Sequence, residues 1–241
     1  MIKVTVWNEF LHERELDNIK KVYPDGIHSI IADFLGKNED IEVRCATLFD
    51  DNQGISKEML DDTDVLIWWS HARNEEITDE NAQLVAEYVR KGMGFIGLHS
   101  AHMCKPLNLL LGTTMTLKWR HNDSERVYIT APSHPIAAGL PEYFDLPHEE
   151  MYGEYFDIPK PDDVIFTGWF KGGCVFRSGV TFTRGNGKIF YFQPGHEEYP
   201  IYFDPNIQRV ITNAVYWACG NRMDDVYGNV HLSEDYGEIE C

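Results

Sequence analysis

The chain has 241 residues, 43% of them hydrophobic, enough for one sizeable core, and no run approaches the ~20 apolar residues that cross a bilayer. Its formal net charge of −18, from 39 acidic and 21 basic residues, repels nucleic acid and anionic membrane surfaces, so neither is expected as a partner. Five cysteines scattered without a CxxC pair, and a start "MIKVTVWNEF" with no basic segment before a long apolar one, point to free thiols in a cytoplasmic protein.

"IKVTVWN" (Ile2–Asn8) reads as a first strand. "DGIHSIIADFLGKN" then puts Ile27, Ile30, Ile31, Phe34 and Leu35 on one helical face, with Gly36 as the C-terminal stop. "IEVRCATL" (Ile41–Leu48) is a second strand, and the unbroken apolar "DVLIWWSH" (Asp64–His71) a third, buried on both faces. "TDENAQLVAEYVRKGMG" is an amphipathic helix through Leu84, Val85, Tyr88 and Val89, and "GFIGLH" is the fourth strand. Strands alternating with helices imply βαβ units and a parallel sheet.

From about Leu117 the helices stop. "SERVYIT", "DDVIFTGWF" and the hairpin "GVTFTRGNGKIFYF", turning at Gly185-Asn186-Gly187, are strands in succession. "PNIQRVITNAVYWACG" returns to a helix with Ile207, Val210, Ile211, Ala214, Val215 and Ala218 on its buried face. One α/β domain, residues 1–220, is expected, with an antiparallel extension of its sheet. The acidic segment 221–241 reads as a frayed tail or as an arm on the body or on a neighbouring subunit, which leaves a homo-oligomer open.

Ligands of open parallel sheets bind beyond the carboxyl ends of the strands. Those ends are Asn8, His71, His99 and, after "KIFYFQPG", His196. A lone histidine there is ordinarily structural; three at one edge suit metal ligation or proton transfer near neutral pH. His121 in "LKWRHND" and the pair Glu149-Glu150 in "PHEEMYGE" come from a less regular stretch that can close over this edge. Imidazoles with a carboxylate suit a divalent metal, zinc among them. The same set can work without one, histidine as base and a glutamate of that pair as its orienting partner.

Cys104 comes five residues after His99, too late to be the elbow nucleophile, and reads as a buried thiol. His134 in "APSHPIAAGLP" reads as a turn residue, and His12, His28, His148 and His231 have no constellation around them. The chain has no P-loop and no GxGxxG motif. Trp7, Trp68, Trp69, Trp119, Tyr152 and Trp169 stand near predicted strand ends; core packing is their default, and an aromatic, acidic cleft also suits a neutral sugar.

"GFIGLHSAH", "LKWRHN", "SHPIAAGLP", "HEEMYGE" and "KIFYFQPGHEEYP", in this order, resemble the ThuA-like (trehalose utilisation) family, over about residues 1–220. That resemblance implies a flavodoxin-like, class I glutamine amidotransferase-like three-layer sandwich with a mostly parallel sheet. His99 stands where those amidotransferases carry a cysteine, so thiol amidotransfer is not expected. By position, the family pattern points to His99, His121, Glu150, Tyr152 and His196 as catalytic residues; strand-end geometry adds His71, with His99 and His196, as metal ligands. The resemblance further implies sugar catabolism. Two readings follow: a metal-assisted enzyme on a disaccharide or keto-sugar, or a non-catalytic sugar-binding or assembly protein on an inherited enzyme fold.

Overall fold

A computed structural model describes residues 1–220; the acidic segment 221–241, and with it the expected tail or arm, lies outside the described residues. In chain order the first half runs β1 (Ile2–Asn8), α1 (His12–Glu15), α2 (Asp17–Val22), α3 (Ile27–Leu35), β2 (Ile41–Thr47), α4 (Lys57–Asp61) and β3 (Val65–Trp69). It continues with α5 (Asp79–Lys91), β4 (Gly94–Leu98) and α6 (Lys105–Leu111). Then come β5 (Lys118–Ile129), β6 (Tyr143–Gly153), β7 (Asp163–Phe170), β8 (Val175–Arg184), β9 (Gly187–Phe192) and α7 (Pro205–Ala218).

Local chemistry sets the long helices. The Thr78 hydroxyl accepts the Asn81 amide at the start of α5, and Gly92 ends it with φ +125°. The Asp204 carboxylate accepts the amides of Asn206 and Ile207 at the start of α7, where Pro205 occupies the first turn. Each helix lays one apolar stripe on the sheet.

The nine strands among the described residues join one sheet in the order β2-β1-β3-β4-β9-β8-β7-β5-β6. The pairings from β2 to β9 are parallel, in the flavodoxin-like order with β9 as the fifth strand. Those from β9 to β6 are antiparallel. Helices α5 and α6 cover one face, over a core containing Trp68, Phe95 and Tyr191. Helices α3 and α7 cover the other, over a core containing Ile67, Ile96 and Phe190. The three-layer α/β sandwich expected from the sequence is present.

One expectation needs correcting. The stretch around Glu149 and Glu150 is not irregular: it is the strand β6, paired with a β5 that begins at Lys118. Register shifts between Arg120 and Glu125 break the alternation in β5, and Pro147 sits within β6. The shifts lie in the pairing of β5 with the edge strand β6, and the proline lies in β6 itself, where a missing donor is tolerated.

Candidate functional site

Four of the parallel strands end at one edge, and each hands over a side chain. Glu9 follows β1, His71 follows β3, His99 follows β4, and His196 follows β9. Two buried carboxylates hold the loops that carry these histidines. Glu9 accepts the amides of His71 (2.8 Å), Ala72 (3.0 Å) and Arg73 (3.0 Å). Glu149, from β6, accepts those of Gly195 (2.8 Å) and His196 (3.2 Å). Charge-assisted bonds to main-chain amides are strong and directional, so each loop is fixed. Gly195 has φ +147°, and a Cβ there would meet the Tyr202 hydroxyl at 2.2 Å, so the approach to His196 requires glycine.

His99 sits on a turn at φ +51°, a left-handed conformation that costs a non-glycine residue ~1–3 kcal/mol. Its Nδ1 donates to the Gln193 carbonyl at 2.9 Å, and Tyr191 donates its hydroxyl to the His99 carbonyl at 2.8 Å. These bonds leave Nε2 facing Glu150 Oε2 at 3.3 Å and the Tyr152 hydroxyl at 3.4 Å. Tyr152 in turn shares a hydrogen bond with the Ser100 hydroxyl at 2.8 Å.

Around Glu150 the imidazoles converge. His121 Nδ1 lies 3.2 Å from Glu150 Oε1 and His196 Nε2 lies 3.9 Å from it. The ring centres of His71, His99 and His196 are 5.3 to 6.2 Å apart. One ligand atom each from His71, Glu150 and His196 lies within 4.8 Å of the others; so do the sets His99, His196, Glu197 and His12, His71, Glu197. Glu197 Oε1 accepts from both His71 Nδ1 and His12 Nδ1, each at 2.7 Å. His71 therefore keeps its lone pair on Nε2.

The donor set passes a test for a divalent cation on two grounds. Among the described residues, His196 Nε2 and Glu197 Oε2 are buried with no hydrogen-bond partner, and buried polar atoms without partners are rare; His196 Nδ1 accepts the Glu198 amide at 3.2 Å, so a ligand role for Nε2 requires the ring to exchange that bond and change tautomer. A histidine whose second nitrogen is held by a carboxylate, as His71 is by Glu197, is the usual support for a metal ligand. Two nitrogens and a carboxylate oxygen are ligands that zinc accepts.

The charges are sorted by environment. Burial works against the His99 cation, yet the hydrogen bond to Glu150 and the nearby Glu149 and Glu197 charges outweigh it and raise its pKa to about 9. Burial also opposes the Glu150 carboxylate, but His99 holds its pKa below the ordinary value. Burial pushes Glu149 up to about 7, against the pull of His99 and three amides. It pushes His102 down to about 4, a ring whose Nδ1 donates to the Met115 carbonyl at 2.8 Å. Thus His99 and His102, three residues apart, hold opposite protonation states at neutral pH.

A cavity of about 400 Å³ opens above this cluster; His71, Ser100, His102, Glu150 and Tyr152 form its inner part, and Met103, Thr116, Leu117, Trp119 and His121 its mouth.

The model of the family described as "Trehalose utilisation", ThuA, matches residues 3–218. The chain belongs to the ThuA family. Among solved structures, a ThuA-like protein from Parabacteroides merdae superposes with a TM-score of 0.71 at 14% identity, over 95% of this chain and 93% of its own. One from Bacteroides uniformis gives 0.59 at 17% identity, over 90% of each chain. A cytoplasmic protein from Salmonella typhimurium gives 0.63 at 15% identity, over 90% of this chain and 99% of its own. At these identities the likeness is one of fold. No functionally curated protein matches the chain.

In this ThuA-family chain the structure brings together all six residues singled out in the sequence: His71, His99, His121, Glu150, Tyr152 and His196. Asn8, the fourth strand end, instead turns to His28 Nδ1 (2.9 Å) and Glu13 (2.7 Å) and is structural. Cys104 is buried, and the His134 side chain accepts the Ile136 amide in a turn. His12 was expected to stand apart, yet it shares Glu197 with His71. Sequence reasoning also passed over Glu9, Ser100, His102 and Glu197; it named Glu149 beside Glu150, but not as the acceptor that holds the Gly195–His196 loop. For Glu197 a signal existed, since it adjoins His196. Glu9 gave none, because the amides it holds are 62 to 64 residues away.

Proposed function

We propose that this protein is a metal-assisted enzyme of carbohydrate catabolism, acting in the cytoplasm on a disaccharide or keto-sugar by isomerisation or hydrolysis. The observation that carries this reading is the His71–Glu150–His196 cluster, of which His71 and Glu150 line the cavity and His196 Nε2 is buried without a hydrogen-bond partner. The family's description as trehalose utilisation supports the sugar, and the cytoplasmic Salmonella relative supports the location.

His71, Glu150 and His196 would hold the ion, zinc fitting the donor set best, with His99 bracing Glu150 through Nε2. When bound, a divalent ion supplies Lewis acidity toward a carbonyl or hydroxyl oxygen. The chain's own residues supply the proton chemistry. His99, cationic at neutral pH, is a proton donor beside Glu150, and His102 presents a neutral ring whose Nε2 can accept a proton. Tyr152, whose pKa burial raises well above the ordinary value, stays a phenol and with Ser100 can orient a substrate hydroxyl. His121, half-exposed at the mouth, closes the remaining side of Glu150.

A sugar-binding protein without turnover is the second reading. It is favoured by the three imidazoles already gathered on the two Glu150 oxygens. Metal analysis of protein purified without chelator or affinity-tag metal, followed by NMR of trehalose and keto-disaccharides with and without Zn²⁺, tests both. Metal-dependent conversion supports the enzyme. Stoichiometric metal and bound sugar without conversion supports the binder, and a chain that takes up neither metal nor sugar overturns both.

A further inference from the structure

Glu125, in β5, is a buried carboxyl that the chemistry above leaves unused. It is 2% exposed, and its Oε2 has no hydrogen-bond partner among the described residues. Its Oε1 lies 2.8 Å from the Ser178 hydroxyl, which lies 3.4 Å from Gln193 Oε1; Ser178 and Gln193 are also buried. Space is kept for the pair: a Cβ on Gly168 of β7 would meet Glu125 Oε1 at 2.1 Å and Ser178 Oγ at 2.3 Å. A glycine inside a strand commonly marks such a close approach. An apolar side chain would fill this space without the cost of burying polar atoms, so the carboxyl calls for a reason.

The row of polar groups ends at the candidate site. β6 is the last strand of the sheet, with β8, β7 and β5 between it and β9. Yet Gln193, immediately after β9, donates from Nε2 to the Glu150 main-chain carbonyl at 3.1 Å, so the antiparallel half curls until its two ends meet. The Gln193 main-chain carbonyl accepts His99 Nδ1. Gln193 thus fastens the strand end that holds His99 to the strand that carries Glu150.

The available hydrogens fix the protonation of Glu125. The Gln193 amide has one workable orientation, because turning it over would set its oxygen against the Glu150 carbonyl. Gln193 Oε1 then takes its hydrogen from Ser178, whose hydroxyl has only one. With that hydrogen committed, the 2.8 Å contact holds only if the Glu125 carboxyl donates to Ser178. A carboxylate there would capture the Ser178 hydrogen and leave Gln193 Oε1 unpaired in the core. Burial and the nearby Glu149 and Asp123 charges act in the same direction, pushing the Glu125 pKa well above its ordinary value.

We infer that Glu125 is a positioning residue: a neutral carboxylic acid that donates to Ser178, keeps the Ser178 hydrogen on Gln193, and so sets Glu150 against His99. It touches neither a ligand nor the reacting atoms. The inference rests on the reading of Glu150 as an ion ligand only where Zn²⁺ affinity is the measure; the hydrogen-bonded row stands without the ion.

Infrared difference spectra of the full chain at neutral pH test the protonation: Glu125→Gln should remove the carbonyl stretch of a protonated carboxyl, and removal of a carboxylate band overturns the inference. Zn²⁺ affinity, by competition with a chromophoric chelator, tests the positioning. It should stay within about twofold of the wild type in Glu125→Gln, whose amide also donates to Ser178. It should fall about tenfold in Glu125→Leu and in Ser178→Ala, and no further in the double variant, since both cut one row. Ser178→Ala serves alone if melting shows the leucine variant unfolded. Unchanged affinity in the folded variants shows a carboxyl that serves only the fold and overturns the inference; so does a Glu125→Gln variant as weak as Glu125→Leu. If the wild type takes up no Zn²⁺, the ion reading falls alone, and exchange of the Gln193 side-chain amide hydrogens, followed by NMR, decides. Slow exchange in the wild type and Glu125→Gln with faster exchange in Ser178→Ala supports the row, and equal rates overturn it.

Discussion

The Nδ1–H of His71 donates to Oε1 of Glu197 at 2.7 Å, and this bond decides which ring nitrogen of His71 is free for a ligand. Burial opposes the Glu197 charge, but the hydrogen bonds from His12 and His71 overcome it and hold the carboxyl far below the usual carboxylate range. The charge that orients His71 therefore persists below the pH at which an ordinary carboxylate is protonated. Replacing Glu197 with Ala frees the ring to change tautomer. Zn²⁺ affinity should fall ~10–100-fold, as for other lost metal-ligand supports, when measured by competition with a chromophoric chelator. Unchanged affinity would show that Glu197 does not position the ligand.

His99 combines a role with a strained backbone. Alanine and glycine at this position both remove the imidazole that braces Glu150, so both variants should lose turnover. They differ in φ +51°, which glycine adopts freely and alanine does not. His99→Gly should be more stable than His99→Ala by ~1 kcal/mol in urea unfolding. The opposite order would mean that the turn relaxes when the side chain is removed.

The buried His102 ring makes acid stability readable. Its folded pKa of about 4 lies below the 6.5 of the unfolded chain, so between these values the unfolded state binds the extra proton. Its contribution is complete above pH 6.5 and is lost as pH falls toward 4, a loss of ~3 kcal/mol at 1.36 kcal/mol per pKa unit. His102→Asn keeps a donor for the Met115 carbonyl and removes the titration. The variant's stability between pH 7 and 4, taken in chelator, should fall less steeply than the parent's by about that amount. Parallel curves would place the His102 proton elsewhere.

The thiols should be dispensable. Burial pushes Cys104 up to about 12, so it is not a thiolate at neutral pH. Iodoacetamide treatment is expected to leave turnover intact. Inactivation that maps to Cys104 and is blocked by sugar would revive a thiol mechanism.

Much of the fold was open to reading from the sequence because its parallel half is written in local terms. The central strands β3 and β4 are unbroken apolar runs, each long helix has one apolar face, and the stops at Gly36 and Gly92 lie where the chain turns. Three histidines could be assigned to one edge for the same reason: a parallel sheet delivers its carboxyl ends to one side. β6 was missed because an edge strand with charges and a proline has little periodicity to show.

What the sequence by itself determined is the α/β sandwich, the family and the strand-end histidines, all of which depend on short-range pattern. Only the tertiary structure decided the rest of the site. The β5–β6 pairing carries His121 and Glu150 to the histidine edge, and Glu197 joins His71 to His12 across 126 and 185 residues. Glu9 and Glu149 set the loops by accepting amides far away in the chain, and burial assigns opposite charge states to His99 and His102. Hydrogen bonds and desolvation depend on which groups meet in space, and a one-dimensional pattern carries no record of those meetings.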